Sequence, residues 1–252
     1  MQIVIIGTGN TATVLGRKLR RAGHEILQVY GRDSKAASDL AYELNTESTN
    51  YWNVVNRNAD IYILAVSDIA IEEVLAELRL PAKTIVHTAA SVSKNVLKNT
   101  SGHYGVFYPL QSLKKESHHL PDIPIVIDAS DESTLHELED LAQTISDKVV
   151  QADDEKRLKM HLAAVFCNNF VNHLYVLMEA FCKKEDIDFG LLVPLIEETS
   201  SRIKEMPPSK VQTGPAIRHD QITIEKHLQL LQDHPELKKF YELFTKSISQ
   251  SS

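Results

Sequence analysis

The sequence predicts an α/β protein in which a doubly wound parallel sheet is followed by an all-helical C-terminal domain. Short apolar runs alternate with amphipathic stretches over the first 152 residues, which is the pattern of crossover units in a parallel sheet. A glycine-rich turn directly follows the first apolar run, as in Rossmann-type sheets. After residue 153 no stretch has a pattern typical of a strand. We therefore predict a Rossmann-type domain over 1–152 and a helical domain over 153–252.

The predicted strands are short, and helical patterns separate most of them. Strands are predicted at Ile3–Ile6, Ile26–Tyr30, Ile61–Val66, Ile85–His87 and Ile125–Ile127, and near Val149. Helices are predicted at Val14–Ala22, Ala36–Leu44, 69–80 and Ser133–Ile145. The strands are apolar throughout, which fits a sheet that is buried on both faces.

The helical domain begins with a long segment. Asp154–Lys184 has the pattern of a single helix, and its centre, Leu162–Phe181, is apolar on nearly every side. Because a helix that is apolar all round is buried all round, we expect a homodimer in which a second copy covers what one chain leaves exposed. A second helix is predicted at Phe189–Met206, where Pro207-Pro208 ends it, and two shorter helices follow, the last from Pro235.

Composition and charge narrow the range of partners. The net charge is −7 and the basic residues are scattered, so we expect no nucleic-acid partner and no membrane association. Cys167 and Cys182 form neither a disulfide framework nor a zinc-binding spacing, and the sequence shows no signal peptide. We therefore expect a cytoplasmic protein without a metal site, and we interpret His118-His119 as part of a solvated loop.

The glycine-rich turn has the spacing of a phosphate-binding fingerprint. The residues predicted to bind a dinucleotide there are Gly7, Thr8, Gly9, Asn10, Thr11 and Ala12. Gly7 permits the tight turn, Gly9 lets a pyrophosphate approach the backbone, and Ala12 replaces the third glycine of the pattern. The following helix presents free N–H groups to the phosphates. The alternative is a glycine-rich turn that binds no ligand.

The end of the second strand indicates which dinucleotide binds. An acidic residue at this position binds the ribose hydroxyls of NAD, whereas an arginine accommodates the 2′-phosphate of NADP. Arg32 comes first and Ser34 offers a further hydrogen bond, so we predict that both bind NADP, with NAD as the less favoured cofactor. Asp33 is a competing signal for NAD, but it is equally suited to cap the next helix. A solvated surface charge is the alternative role for Arg32.

Six segments, spread over most of the chain, carry a resemblance to a known family. They are Gly7–Ala12, Ile63–Asp68, His87–Ser91, Tyr108–Ser112, His161 with Asn168, and Thr213–Asp220. The chain resembles Rossmann-like NADP oxidoreductases of unknown function, which are related to pyrroline-carboxylate reductase, to deazaflavin-dependent NADP oxidoreductases and to phosphogluconate and hydroxyisobutyrate dehydrogenases. The resemblance implies an NADP-linked oxidoreductase whose helical domain is similar to the C-terminal domain of phosphogluconate dehydrogenase and mediates dimerisation. It implies no particular substrate.

One position departs from the dehydrogenases of that group. Hydroxyisobutyrate-type enzymes have a catalytic lysine three residues before an Asn-Asn pair. The pair is present here as Asn168-Asn169, but Val165 stands at the position of the lysine. Another residue must therefore handle the proton if the chain is an enzyme.

Polar residues follow two further predicted strands, at the edge where such sheets bind ligands. The cofactor contacts predicted there are Val66, Ser67, Asp68 and Ala89. Ser67 and Asp68 have capping of the next helix as their alternative role. His87 and Ser91 either face the nicotinamide or form structural hydrogen bonds, and His87 is a candidate catalytic residue.

The long helix carries three polar residues that share one face. His161, Asn168 and Asn172 are seven and then four residues apart, and such spacings return to the same side of a helix. They either have hydrogen-bonding partners inside the protein or line a polar cleft. Because histidine exchanges protons near neutral pH, we predict catalytic roles for His161 and Asn168.

A late loop adds two more candidates. Thr213–Asp220 contains a rigid Gly-Pro pair and brings Arg218 close to Asp220 in sequence. We predict catalytic roles for Arg218 and Asp220, in which Arg218 binds an anionic group of the substrate or orients the carboxylate of Asp220, with a surface ion pair as the alternative.

Two classes of function are compatible with these features. The first is a cytoplasmic NADP-dependent oxidoreductase that acts on an unknown small carbonyl or imine. The second is a non-catalytic NADP-binding sensor or scaffold dimer, which Val165 at the position of the lysine favours. The polar line on the long helix and the Arg218–Asp220 loop favour the enzyme.

Overall fold

The computed structural model describes residues 1–117 and 120–250, so His118 and His119 lie outside the described residues. The chain forms two compact units, Met1–Asn169 and Phe170–Ser252. The sheet ends close to the boundary expected at residue 152, but the first unit extends beyond it. The reason is that the next helix packs into this unit, where Arg157 is fully buried and Met160 contacts the core.

The first unit is built on one eight-stranded sheet with the order β3-β2-β1-β4-β5-β6-β7-β8. The strands are β1 (Gln2–Ile6), β2 (Glu25–Tyr30), β3 (Glu47–Thr49), β4 (Ile61–Leu64), β5 (Thr84–His87), β6 (His103–Pro109), β7 (Ile125–Ala129) and β8 (Val149–Gln151). The first six follow the order 3-2-1-4-5-6 of Rossmann-type sheets. All neighbouring strands pair in parallel except β6 and β7. The predicted fold class is therefore confirmed. The prediction of a parallel sheet is corrected at one pair, because β6 and β7 are antiparallel.

Two of these strands were not expected from the sequence. β6 contains Gly105 and ends in Pro109, and both residue types usually indicate turns. Gly105 is required here because a Cβ at this position would lie 2.2 Å from the carbonyl oxygen of Asp128 on β7. β3 is a three-residue edge strand with the polar sequence Glu-Ser-Thr, which carries no apolar signal.

Helices cover both faces of the sheet. They are α1 (Asn10–Arg21), α2 (Ser34–Leu44), α3 (Ala70–Glu77), α4 (Glu132–Gln143) and α5 (Asp154–Ala164). Ile3 and Ile5 of β1 belong to a core cluster shared with α1, α2 and α4, whereas Val4 and Ile6 belong to a second cluster shared with α3. Because side chains alternate along a strand, these clusters lie on opposite faces, as a doubly wound sheet requires.

The segment predicted as one long helix is helical throughout but has three parts. Between α5 and α6 (Val171–Lys184), residues Val165–Phe170 form a π-helical turn. The second unit also contains α7 (Val193–Glu205), α8 (Pro208–Val211), α9 (Gln221–Leu230) and α10 (Pro235–Gln250). The described residues of this unit contain no strand, as the sequence predicted.

A single chain does not bury the long helix, and the sequence analysis expected a second copy to cover what one chain leaves exposed. Leu162 is 58% exposed, Phe166 60% and Val176 51%. Among the described residues of the second unit, only Cys182, Ala216 and Ile224 are buried. Nearly all side chains of the described part of this unit are therefore at least partly exposed to solvent in a single chain. No helix within the described ranges is both long and apolar enough to cross a bilayer.

Candidate cofactor and active site

The two glycines of the phosphate-binding turn are required for different reasons. Gly7 has φ +127°, and a Cβ there would lie 2.2 Å from the carbonyl oxygen of Ala65, so the turn meets the backbone of the residue that follows β4. A Cβ on Gly9 would meet nothing within 4 Å. Gly9 therefore faces open space directly beside the start of α1, as expected of a residue that a pyrophosphate approaches.

The first turn of α1 is left open to an anion. Gly9 is its N-cap residue and offers no side-chain hydrogen bond, and no acidic residue occupies the first turn. By contrast, Asp33 caps α2 and Asp131 caps α4 through their carboxylates. The unpaired N–H groups and the positive end of α1 are thus available to bind phosphates. Ala12 is fully buried in the core, which keeps α1 close to the sheet.

A loop that follows β6 is anchored beside this turn. Oδ1 of Asn10 accepts a hydrogen bond from the backbone N–H of Lys115 at 3.2 Å. Arg17 of α1 donates to the carbonyl oxygens of Lys115 (2.7 Å) and Ser117 (3.2 Å). The side chain of Asn10 therefore holds the loop, a role that the sequence did not indicate. Its predicted contact with a dinucleotide stays a prediction.

A cavity of about 520 Å³ opens next to the glycine turn, and we call it the nucleotide pocket. Its lining residues are Gly7, Thr8, Gly9, Tyr30, Gly31, Arg32, Asp33, Trp52, Ala65, Val66, Ser67, Ala70, Glu73, Val74 and Glu77. The predicted contacts Arg32, Val66 and Ser67 lie together here. Trp52, which the sequence analysis missed, stacks on Tyr30 with the ring centroids 3.7 Å apart. No periodic pattern surrounds this tryptophan, so only its residue type was a signal.

The three candidate residues after β2 have different contacts. The carboxylate of Asp33 accepts hydrogen bonds from the backbone N–H groups of Lys35 (2.9 Å) and Ala36 (3.0 Å), so it caps α2. The side chain of Arg32 is 75% exposed and pairs with Glu73 at 3.2 Å. Ser34 is the exposed first residue of α2. Asp33 is thus engaged through Oδ1 and Arg32 through its pair with Glu73, and Arg32, Asp33 and Ser34 are all exposed.

The ends of β4 and β5 carry further predicted residues. Asp68 does not cap α3, because it accepts a hydrogen bond from the hydroxyl of Ser91 while α3 has no side-chain cap. His87 is fully buried, and its Nδ1 accepts a hydrogen bond from the backbone N–H of Ala89 at 3.2 Å. Burial and the positive charge of Arg157 lower the pKa of His87 to about 4. A neutral, buried imidazole favours the structural role for His87, and its catalytic role stays a prediction.

A second cavity, of about 380 Å³, lies near the carboxyl end of β6, and we call it the Tyr108 pocket. Its lining residues are Tyr108, Leu110, Gln111, Ser112, His161, Ala164, Cys167, Asn168 and Asn169. The hydroxyl of Tyr108 lies 3.0 Å from Nδ1 of His161. His161 and Asn168 thus line one polar cleft, which is one of the two alternatives that their spacing left open. Tyr108 lies in one of the segments that carry the family resemblance, and the sequence offers it only as a substitute for His161 in handling the proton.

Arg157 of α5 was also missed. It is fully buried and donates hydrogen bonds from Nε to the carbonyl oxygen of Ala90 (3.1 Å) and from Nη2 to the carboxylate of Asp154 (2.8 Å). A further bond from Nη2 reaches the carbonyl oxygen of Val92. The guanidinium therefore ties α5 to the loop after β5. In the sequence, Asp-Glu-Lys-Arg is indistinguishable from a solvated helix start.

Arg218 and Asp220 belong to the second unit. The carboxylate of Asp220 accepts hydrogen bonds from the backbone N–H (3.1 Å) and hydroxyl (2.7 Å) of Thr223, so it caps α9. These bonds, with a smaller contribution from Arg218, lower the pKa of Asp220. Capping gives Asp220 a structural role that the sequence analysis did not consider, and the catalytic roles of both residues stay predictions. Among residues 1–117 and 120–250, no cluster of three or more potential metal ligands is found.

Comparison with known proteins identifies the family. The NADP oxidoreductase family described as coenzyme F420-dependent matches residues 2–91, and the domain of unknown function DUF2520 matches residues 123–248. The crystal structure of a "putative NADP oxidoreductase" from Bacteroides fragilis is 39% identical, with a TM-score of 0.89, and the match covers 99% of this chain and 98% of that chain. Comparison with curated proteins gives no match.

More distant solved structures share the fold. A 1-pyrroline-5-carboxylate reductase from Streptococcus pyogenes is 15% identical, with a TM-score of 0.69 over 99% of this chain and 98% of that chain. A reductive aminase from Aspergillus terreus, solved with NADPH, is 16% identical, with a TM-score of 0.73 over 99% and 97% of the two chains. With the full-length match at 39% identity, these findings show that the chain belongs to the NADP oxidoreductase-like family that carries the DUF2520 domain.

Proposed function

We propose that this protein is an NADP-dependent oxidoreductase that reduces the carbonyl or imine group of a small substrate. The observation that carries the proposal is the hydrogen-bonded pair of Tyr108 and His161. The pair lines a polar pocket near the carboxyl end of β6, in the same unit as the phosphate-binding turn. Because β1, β4, β5 and β6 run in parallel, their carboxyl ends lie at one edge of the sheet.

The residues at the nucleotide pocket fit NADP. The open space at Gly9 and the uncapped start of α1 accommodate a pyrophosphate. Arg32 and Ser34 are accessible to a 2′-phosphate, and Asp33, which would otherwise favour the ribose hydroxyls of NAD, is engaged in capping α2. When bound, the nicotinamide ring supplies the hydride, and the protein must position the substrate and handle one proton.

The pocket also suggests which substrates to test. None of its described lining residues carries a formal charge at neutral pH when His161 is neutral, and amides from Gln111, Asn168 and Asn169 supply its polarity. Such a lining suits an uncharged polar substrate, because hydrogen-bonding groups select a neutral molecule without the desolvation cost of a charge. A preference for carboxylate-bearing substrates would instead support the predicted anion-binding role of Arg218.

The experiment is a direct test of binding and turnover. Calorimetric titration with NADPH and NADH measures affinity, and loss of NADPH absorbance measures reduction of a panel of ketones, aldehydes and cyclic imines, each in uncharged and carboxylated form. We expect NADPH binding and oxidation with at least one uncharged compound. Absence of NADPH binding contradicts the proposal. Tight binding without oxidation of any compound supports the non-catalytic sensor or scaffold, the alternative that Val165 favours.

We also propose that the helical unit packs against a second copy of the chain. The described part of this unit buries only three residues, whereas several large apolar side chains are at least 60% exposed. They are Leu191, Leu195, Ile222, Leu230 and Leu243. Soluble monomers rarely leave apolar surface of this extent in contact with water, and a two-fold dimer is the commonest way to cover it. The free thiols of Cys167 and Cys182 fit the expected cytoplasmic location.

A further inference from the structure

Tyr108 is held by its ring and presents its hydroxyl to the pocket. The ring belongs to a small core cluster with Ala90, Val106 and Val126, and the residue is only 9% exposed. Core packing leaves a side chain in this position little rotamer freedom. The position of the hydroxyl is therefore set by the fold, which is what a group that must meet a reacting atom requires.

His161 forms a hydrogen bond with this hydroxyl. It projects from α5, is partly exposed, and brings Nδ1 within 3.0 Å of the phenol oxygen. The two rings meet edge to face, with an angle of 76° between their planes. A phenol stays protonated at neutral pH, and an imidazole exchanges protons with water there. The pair thus combines a fixed proton donor with a group that resupplies the proton.

We propose that the hydroxyl of Tyr108 donates the proton to the oxygen or nitrogen of the substrate, and that His161 positions this hydroxyl and returns a proton to it. The inference rests on the proposed function, because it assigns residues to the proton transfer of that reaction. Tyr108 would then fill the role for which hydroxyisobutyrate-type dehydrogenases use a lysine on the helix.

The proposed reduction conserves atoms and charge when the substrate is a ketone. The substrate carbon gains a hydride, which oxidises the nucleotide by two electrons, and the C=O π pair moves to the oxygen. The oxygen forms a bond to the proton of Tyr108, whose O–H bond breaks and leaves a tyrosinate. His161 transfers a proton to the tyrosinate and regains one from water. Each turnover therefore consumes one solvent proton and releases an alcohol, or an amine where the substrate is an imine.

The charges around Tyr108 suit this cycle. Burial raises the pKa of Tyr108, and the carboxylate of Asp68 raises it further, so the phenol keeps its proton until the substrate takes it. The guanidinium of Arg157 acts in the opposite direction and lowers the pKa. The buried positive charge of Arg157 stabilises the tyrosinate after proton transfer, while His161 provides a hydrogen bond to it.

An experiment that needs no substrate tests whether Tyr108 lies at the reacting atoms. The protein is labelled with carbon-13 at the ζ carbon of its tyrosines, and each tyrosine is titrated by NMR in the NADPH and NADP⁺ complexes. If Tyr108 lies at the reacting atoms, the positive ring of NADP⁺ lowers its titration midpoint by about one pH unit or more relative to NADPH. Tyr108→Phe assigns the signal and keeps the packed ring.

Tyr104 is the matched control. It lies four residues earlier on β6, on the same face as Tyr108. Its hydroxyl lies 3.5 Å from Oδ1 of Asn95, and Tyr104 does not line the Tyr108 pocket. Its midpoint should be the same in both complexes. Equal midpoints for Tyr108 in the two complexes would overturn the inference while leaving the proposed function intact. If neither nucleotide binds, the proposed function fails, and the calorimetric titration reports that outcome separately.

Turnover provides a second, independent readout. With any compound that the panel identifies, Tyr108→Phe should lower kcat by about a hundredfold or more with unchanged NADPH affinity, and Tyr104→Phe should leave kcat unchanged. His161→Ala should lower kcat at least tenfold, and added imidazole should restore part of the loss. A histidine that only fills space would not respond to imidazole. A Tyr108→Phe protein with the kcat of the unaltered protein would contradict the assignment.

Discussion

The two units of this chain use their apolar residues in opposite ways. In the first unit, the strands and the facing sides of their helices form closed clusters, and residues such as Ile5, Leu15 and Phe107 are at most 1% exposed. In the second unit, Leu195 and Leu230 are 65% and 70% exposed. A sheet covered on both faces by helices completes its own core. The first unit thus buries its apolar residues within one chain, whereas the second leaves many of them exposed, which is the observation behind the proposed dimer.

The same contrast applies to the candidate site. The phosphate-binding turn, the nucleotide pocket and the Tyr108 pocket are all lined by residues of the first unit. In the second unit, side-chain hydrogen bonds join residues of that unit, such as the bond between His227 and Tyr241 at 2.9 Å. We therefore expect changes in the first unit to alter cofactor binding and chemistry, and changes in the second to alter assembly.

The largest effect is expected from Gly9→Val. The backbone of Gly9 has φ −82°, which valine adopts, and its Cβ faces open space, so the protein should fold normally. The added side chain occupies the space of the pyrophosphate, and we expect NADPH binding to fall below detection by calorimetry. Gly102→Val, at an exposed bend of the same unit, is the control and should bind as the unaltered protein does. Binding that survives Gly9→Val would place the nucleotide elsewhere.

The next effect concerns the choice between NADPH and NADH. Arg32→Ala should weaken NADPH binding about tenfold and leave NADH unchanged, since an exposed charge-assisted hydrogen bond contributes about 1.5 kcal/mol. Glu73→Gln is the informative counterpart, because it releases Arg32 from its present ion pair and should hold or strengthen NADPH binding. Equal affinities of the unaltered protein for the two nucleotides would assign Arg32 to the solvated surface.

The phosphate end of the site was predictable from the sequence, whereas at the chemical end His161 was predicted but its pairing with Tyr108 was not. Gly7 and Gly9 act through local backbone geometry, so their spacing within one turn already contains the information. Tyr108 and His161 are 53 residues apart, and their contact depends on how α5 packs near the end of β6. Arg157 was missed for the same reason, because only tertiary packing distinguishes it from the exposed charged residues beside it in the sequence.

The fold shows a similar division. The strands that are apolar throughout, such as β1 and β4, were predicted to within two residues at each end. β6 was missed because its glycine and its proline serve strand pairing and a strand end, whereas in sequence they indicate turns. The π-helical turn at Val165–Phe170 was missed because a helical pattern does not reveal one inserted residue.

The assembly of the second unit can be tested at one exposed position. We expect the unaltered protein to have twice the chain mass of 28.3 kDa by light scattering at micromolar concentration. Val176→Glu places a charge on the apolar face of α6 and should shift the mass towards the monomer without weakening NADPH binding. Lys183→Glu puts the same residue at an exposed polar position of α6 and should leave the dimer intact. A monomeric unaltered protein would contradict the proposed dimer.

The smallest effect separates capping from catalysis at Asp220. Its carboxylate receives two hydrogen bonds from Thr223 at the start of α9, so Asp220→Ala should lower the free energy of unfolding, as the loss of a helix cap does. Asp220→Asn keeps an oxygen in the capping position, because asparagine caps helices as well as aspartate does, and it should preserve stability in denaturant titration. If capping is the whole role of the residue, the asparagine variant also keeps its turnover, which is the result we expect. A stable Asp220→Asn protein that has lost turnover would instead show that the reaction needs the carboxylate charge, as the sequence analysis predicted.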